Sequence, residues 1–140
     1  MTCKSKMPTA LSRLINCLIA DTAKNRVYVY QMDFIQALIQ SEAKRRMFVI
    51  LDKEYGHYCP KLAGHFGRPI PKCIYGTDFR GKNWYETLDS YLTNTLYFVR
   101  LRVEGCLYIL REGDNWIKLI NYVDDTLYYS NNEDVRLKFE

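Results

Sequence analysis

Three carboxylates have the type and spacing best suited to chemistry. Asp124 and Asp125 are adjacent in a tight turn between two hydrophobic runs, Trp116–Val123 and Thr126–Tyr129. Asp33 lies near the end of a third run, Arg26–Phe34, whose other residues are mostly apolar or aromatic. Two adjacent carboxylates and a third on a neighbouring strand would repel one another, so each must rise in pKa or take up a cation. Magnesium answers that need with oxygen ligands, and a pair of ions about 3.5–4 Å apart is the apparatus of nucleotidyl transfer. Asp is also a favoured turn residue, so spacing alone leaves open a hairpin tip that simply faces water.

Other polar groups are less specific. His57, Cys59, His65 and Cys73 match no standard zinc spacing and read as loop residues and free thiols. The five cysteines, at 3, 17, 59, 73 and 106, form no C-x-x-C pair. They read as reduced thiols of an intracellular protein, cytoplasmic or nuclear. Lys44, Arg45 and Arg46 read as a solvated charged face, the same chemistry that attracts a phosphate backbone.

The elements that must position the carboxylates follow from periodicity. Thr9 caps a helix to Ala23, with Leu11, Leu14, Ile15, Leu18 and Ile19 at helical spacing. Arg26–Phe34 predicts a strand with Val27, Val29, Gln31 and Asp33 on one face. A short helix or turn covers Ile35–Lys44, and Met47–Leu51 reads as another strand. Asp52–Pro71, with prolines 60, 69 and 71, reads as a long loop. A second helix is expected over Lys82–Thr95, with Trp84, Leu88, Tyr91 and Leu92 on one face. Strands at Cys106–Leu110, Trp116–Tyr122 and Thr126–Tyr129 follow, and Asn131 or Asn132 caps a last helix that reads as cut at Glu140.

A length of 140 residues predicts one domain, 1–140, and 48% hydrophobic content excludes intrinsic disorder. Leu18-Ile19-Ala20 is far short of the roughly 18 apolar residues of a spanning helix. Arg13 and Asn16 interrupt any signal-peptide core after the basic start. Neither a signal peptide nor a membrane partner is therefore expected. The net charge of +4 permits a polyanionic partner without requiring one.

Tyr122-Val123-Asp124-Asp125 in a hydrophobic hairpin, with Gln31-Met32-Asp33 upstream, resembles the reverse transcriptase of copia-type long-terminal-repeat retrotransposons. Further blocks follow in the family's order. Ser5–Ala20 is similar to the helix before its first catalytic aspartate. Ile74-Tyr75-Gly76, Trp84-Tyr85 and Leu88-Asp89-Ser90-Tyr91-Leu92 resemble its middle block. Glu104-Gly105-Cys106-Leu107-Tyr108 resembles the strand leading into the aspartate hairpin. The resemblance runs from about Ser5 to Phe139.

That resemblance implies an α/β fold of the α+β kind, a polymerase palm-like antiparallel sheet. The sheet would contain Arg26–Phe34, Trp116–Tyr122 and Thr126–Tyr129, with helices Thr9–Ala23 and Lys82–Thr95 packed on one face. It implies an RNA-directed DNA polymerase acting by two-metal nucleotidyl transfer. Asp33 and Asp124 would be catalytic and ligate two Mg2+ ions, or Mn2+, with Asp125 a supporting catalytic and metal-binding carboxylate. Phe34, Ala37, Leu38, Tyr122 and Val123 would lie near the nucleotide or primer end. The implied partners are an RNA template, a DNA primer and deoxynucleotides.

The sequence also departs from the family. Leu38 stands where the family carries an aromatic ring that blocks ribonucleotides, and Phe79 takes the position of a glutamine. Gln40-Ser41 replaces an Asn-Gly turn. The start of the fingers, the thumb, integrase and ribonuclease H segments of the polyprotein fall outside these 140 residues. The expectation is a truncated, degenerate copy, inactive as an isolated fragment. The alternatives are a non-catalytic palm-like remnant that binds nucleic acid weakly, and an unrelated α/β interaction module whose Asp124-Asp125 is only a turn. One distance separates the palm from the module: in a palm, Asp33 and Asp124 converge across adjacent strands.

Overall fold

Apolar alternation becomes strands and the 3.6-residue stripes become helices in the computed structural model, which describes residues 12–50, 54–58, 66–74, 76–77, 79–102 and 104–140. In chain order the elements are α1 (Ser12–Asn25), β1 (Tyr30–Asp33), α2 (Ala37–Gln40), β2 (Glu42–Ile50), α3 (Tyr55–Tyr58), β3 (Phe66–Lys72) and α4 (Arg80–Ser90). They continue with β4 (Val99–Arg100), β5 (Leu107–Glu112), β6 (Asn115–Tyr122), β7 (Asp125–Ser130) and α5 (Glu133–Phe139). A π-helical turn, Tyr91–Thr95, extends α4. One sheet has the order β1-β7-β6-β5-β4 and is antiparallel throughout. A second sheet pairs β2 with β3.

The meander β5-β6-β7 is apolar on both faces because its side chains alternate between two cores. Tyr108, Ile117, Leu119 and Tyr128 face Trp84, Leu88 and Leu92, with Ala37 of α2 and Val135 of α5 in the same cluster. Their sequence neighbours Leu107, Trp116, Ile120, Leu127 and Tyr129 form a separate cluster with Leu14 and Leu18 of α1. The α+β class and the antiparallel sheet are therefore as expected, but the helices do not share one face. The helix expected at Thr9–Ala23 covers the face opposite α4, because a sheet apolar on both sides needs cover on both. Lys118 and Tyr129 fix α1 there, both donating hydrogen bonds to Asp21.

Other boundaries moved for local reasons. The strand expected from Arg26 starts at Tyr30 because residues 26 and 27 close α1. Arg26 sits at φ +54°, its N–H donates to the Ala23 carbonyl, and the Val27 N–H donates to that of Thr22. That pattern is a Schellman motif. The stretch read as a loop, 52–71, carries α3 and most of β3. Pro69 and Pro71 share one parity, so both missing N–H groups fall on one edge of a strand that needs only one paired edge. β2 begins at Glu42, so the expected helix or turn over Ile35–Lys44 is only α2. Tyr91 is 51% exposed, since the wider π turn rotates it out of the Trp84-Leu88-Leu92 stripe. Asn132 caps α5, its side chain accepting from the Val135 N–H at 3.1 Å. The expected cap at Thr9, Leu11, Leu51, Cys59 and His65 lie outside the described residues. Among the described residues no helix is long and apolar enough to cross a membrane.

Asp21 makes α1 docking depend on pH. Lys118 first, and Tyr129 next, hold its carboxyl below the ordinary aspartate range. A lowered folded-state pKa stabilises above the unfolded value of about 3.9, and that contribution is lost as pH falls through the folded value. Asp21→Asn is expected to cost roughly 1 kcal/mol at neutral pH and progressively less below about pH 4. Urea unfolding at several pH values checks both the size and the convergence.

Candidate functional site

The register of β1 against β7 decides where the carboxylates lie. Tyr30 faces Tyr128, Gln31 faces Leu127, Met32 faces Thr126 and Asp33 faces Asp125. Directly opposed residues of an antiparallel pair have Cα atoms about 4.5–5.5 Å apart. One residue further on, the Phe34 N–H donates to the Asp124 carbonyl at 3.0 Å. The backbone therefore brings Asp33, Asp124 and Asp125 to one end of two adjacent strands. Like charges directly opposed in a sheet are destabilising. Among the described residues none of the three carboxylates has an ion-pair partner. The compensation is a single amide, Gln31 Nε2 donating to Asp125 Oδ1 at 3.0 Å.

This is the donor chemistry a hard divalent cation takes: exposed carboxylate oxygens that, among the described residues, form no ion pair with a lysine or arginine. The side chains themselves are not drawn into one ligand sphere. Among the described residues no three His, Cys, Asp or Glu groups are gathered closely enough to hold a metal ion. The residues fit a cation by chemistry and by register, and collecting one would require their side chains to turn toward each other.

The tip between β6 and β7 is strained. Val123 has φ +61°, in the left-handed region that a β-branched residue avoids. The buried Trp84 holds it, its indole N–H donating to the Val123 carbonyl at 2.8 Å. Phe34 meets the same indole edge-on, with ring centroids 5.4 Å apart. The Phe34 carbonyl in turn accepts from the Ala37 N–H at 3.1 Å. Ala37 is buried and Leu38 packs against the same core. Tyr122 and Val123 adjoin Asp124 in the chain, and Phe34, Ala37 and Leu38 pack against the core that contains Trp84. Phe79 lies under the Arg45 guanidinium, 5.6 Å from its ring centroid, and Lys44 pairs with Glu86.

The sequence places Trp84 in an apolar stripe and in a block that resembles the family, with no hydrogen-bonding task. The available signal was its N–H, which needs an acceptor once buried. Gln31 sits two residues from Asp33 and therefore on the same face of the strand, a spacing from which its place beside the carboxylates is legible.

The chain is similar to two Saccharomyces cerevisiae (strain ATCC 204508 / S288c) proteins, the transposon Ty1-DR4 and Ty1-DR6 Gag-Pol polyproteins. It is 24% identical to each over 108 residues, which is 77% of this chain and 6% of each polyprotein. The chain therefore spans about 6% of the length of these curated relatives, and the similarity is consistent with a retrotransposon origin. No family model matches the chain, and no solved structure matches it.

If the Val123 backbone is strained, glycine there should relieve it, since glycine adopts positive φ freely. Val123→Gly is expected to raise stability by about 0.5–1 kcal/mol, the strain relieved exceeding the added chain entropy. At the β5–β6 turn the reverse change, Gly113→Ala at φ +62°, meets open space and should lower stability by about 1 kcal/mol from backbone strain alone. Urea denaturation of both variants checks the pair. A loss at Val123→Gly would mean an unstrained tip.

Proposed function

We propose that the chain is the palm core of an RNA-directed DNA polymerase, the reverse transcriptase of a copia-type retrotransposon, in a copy whose nucleotide-handling residues have diverged. The observation that carries this reading is the register. A hairpin tip that only turns the chain needs no third carboxylate opposite it, yet Asp33 is the direct partner of Asp125 and Phe34 is tied to Asp124. The likeness to Gag-Pol polyproteins supports the same origin.

In this reading Asp33, Asp124 and Asp125 would hold magnesium or manganese. The bound ion supplies Lewis acidity and neutralises charge on phosphates. The protein's own contribution is positional. Gln31 orients the Asp125 carboxylate, Trp84 fixes the strained tip, and exposed Tyr122 presents a ring beside it to the primer end. Template RNA, primer DNA and deoxynucleotides are the substrates. Positioning supplies much of a polymerase's rate, and these 140 residues tested on their own are expected to be inactive. A second reading, a non-catalytic remnant that binds nucleic acid weakly, is favoured by one observation: the carboxylate side chains are not gathered.

Manganese titration followed by paramagnetic broadening separates these readings. Weak binding is expected, with broadening centred on residues 31–34 and 122–126, because a nucleotide's phosphates normally complete the coordination shell. Asp33→Asn with Asp124→Asn should abolish it. The same double variant should be more stable by a few tenths to about 1 kcal/mol, because like-charge repulsion is removed. Broadening that survives the double substitution would sink the metal site.

The divergent residues give a second expectation. Leu38 is smaller than an aromatic ring, and Phe79 lacks an amide donor. Grafted between related fingers and thumb, this palm should extend primers poorly and discriminate weakly between deoxy- and ribonucleotides. Leu38→Phe should restore discrimination and Phe79→Gln part of the rate, in single-nucleotide primer extension. Extension as fast and selective as the parent enzyme's would refute the divergence.

A further inference from the structure

At the other edge of the sheet, β4 and the end of α4 enclose a cleft of about 590 Å³ lined by Tyr85, Asp89, Arg100, Leu101, Arg102 and Gly105. A volume of that size accommodates a small ligand. β1 and β4 are four strand spacings apart, about 19 Å, so the cleft shares no residue with the carboxylate end.

The cleft is a built arrangement rather than a chance gathering of surface charge. The Arg100 guanidinium donates through Nη1 to Asp89 Oδ2 at 2.9 Å and to the Tyr85 hydroxyl oxygen at 3.0 Å. The other Asp89 oxygen accepts from the Tyr108 hydroxyl at 3.0 Å, and Tyr108 is wholly buried. The Tyr85 hydroxyl donates to the Gly105 carbonyl at 2.8 Å. Both Asp89 oxygens are thereby engaged, and Arg100 is held in one orientation. Guanidinium carries five N–H donors in a fixed fork, and only Nη1 is used by these contacts. Arg102 brings a second guanidinium to the same wall. It is exposed and forms no ion pair among the described residues. Asp89 offsets one of the two positive charges and leaves the other.

From this geometry we infer that the cleft is an oxyanion site that takes a phosphate group. Arg100 is its pre-oriented fork and Arg102 its uncompensated charge. Planar, multidentate recognition of phosphate is what arginine supplies and a point-charge lysine does not. The phosphate has two sources of the same chemistry, a nucleic-acid backbone or a free phosphate compound. The site stands independently of the polymerase reading, since none of its residues enters the carboxylate cluster.

The test is titration of the full chain with inorganic phosphate and, separately, with a short single-stranded oligonucleotide, following the backbone amides of residues 100–102 and 105 by NMR. Arg102→Gln should weaken binding about tenfold, the loss of one charge-assisted contact. Arg111→Gln removes an equal charge from exposed β5 outside the cleft and should leave affinity within about twofold. Shifts with both probes, or with the oligonucleotide alone, assign the site to nucleic-acid phosphate. Shifts with inorganic phosphate alone assign it to a free compound. Shifts with neither probe, or equal losses in the two variants, would overturn the site. Manganese binding at Asp33 and Asp124 is unaffected by these changes, so failure here leaves the polymerase reading to its own test.

Discussion

The registration of β1 on β7 is the constraint on which the rest of the molecule depends. A strand that slips by one residue turns every side chain to the opposite face, and here both faces penalise a slip. On one, Tyr30 stacks on Tyr128 with centroids 5.6 Å apart, and the Arg136 guanidinium of α5 lies 4.3 Å from the Tyr30 centroid. On the other, Gln31 reaches Asp125. Tyr128 also donates to Glu140 and meets Phe139 edge-on, so the last helix clamps the same pairing from its outer side. Four residues of β1 are a short strand, and without these side-chain locks they would hold register poorly. With them, Asp33 has one place to be.

Helix α4 joins the two ends of the sheet. Its inner stripe, Trp84, Leu88 and Leu92, buries the central strands. From that stripe Trp84 holds the Val123 carbonyl at the carboxylate end. Tyr85 and Asp89, one helical turn apart on an adjacent stripe, organise Arg100 at the cleft. A single rigid element thus sets both the strained hairpin tip and the guanidinium fork. Movement of α4 relative to the sheet would disturb both together.

What the sequence made legible were the features whose signals are local. The β6–β7 hairpin, the α4 positions Trp84, Leu88 and Leu92 and the cap of α5 each follow from a few neighbouring residues, while the turn expected at residues 123–125 closes one residue earlier, with Asp125 opening β7. What it hid was set by partners distant in the chain. β3 was masked by Pro69 and Pro71, which normally argue against a strand and are harmless only on an edge. Cover on both faces was masked because helix amphipathicity states that a face is buried, not against which side of which sheet. The early start of β2 and the late start of β1 reflect capping and pairing decisions that composition does not encode. At the candidate site, the three carboxylates stand out from their apolar neighbours in the sequence. Trp84 as a donor to the tip does not, since its acceptor lies on another element.

The tip itself gives the strongest physical reason to look for chemistry there. A two-residue hairpin that only reverses the chain is most stable with Asn-Gly or a glycine at the positive-φ position. This one places Val123 at φ +61° and follows it with Asp124 and Asp125, opposite Asp33. Each choice costs stability locally: the β-branched residue through backbone strain, and the opposed carboxylates through repulsion. Trp84 then commits a part-buried hydrogen bond to holding the strained conformation. The neighbouring β5–β6 turn obeys its local rule, with Gly113 at the left-handed position. Where two local rules are broken at one turn, a functional site is a natural place to look. Replacement of residues 123 and 124 by a favourable turn would relieve the backbone strain and discard the Asp124 carboxylate, leaving the Gln31–Asp125 contact in place. In the proposed reading, the presence of the carboxylates in an unfavourable setting follows from the ion they would bind.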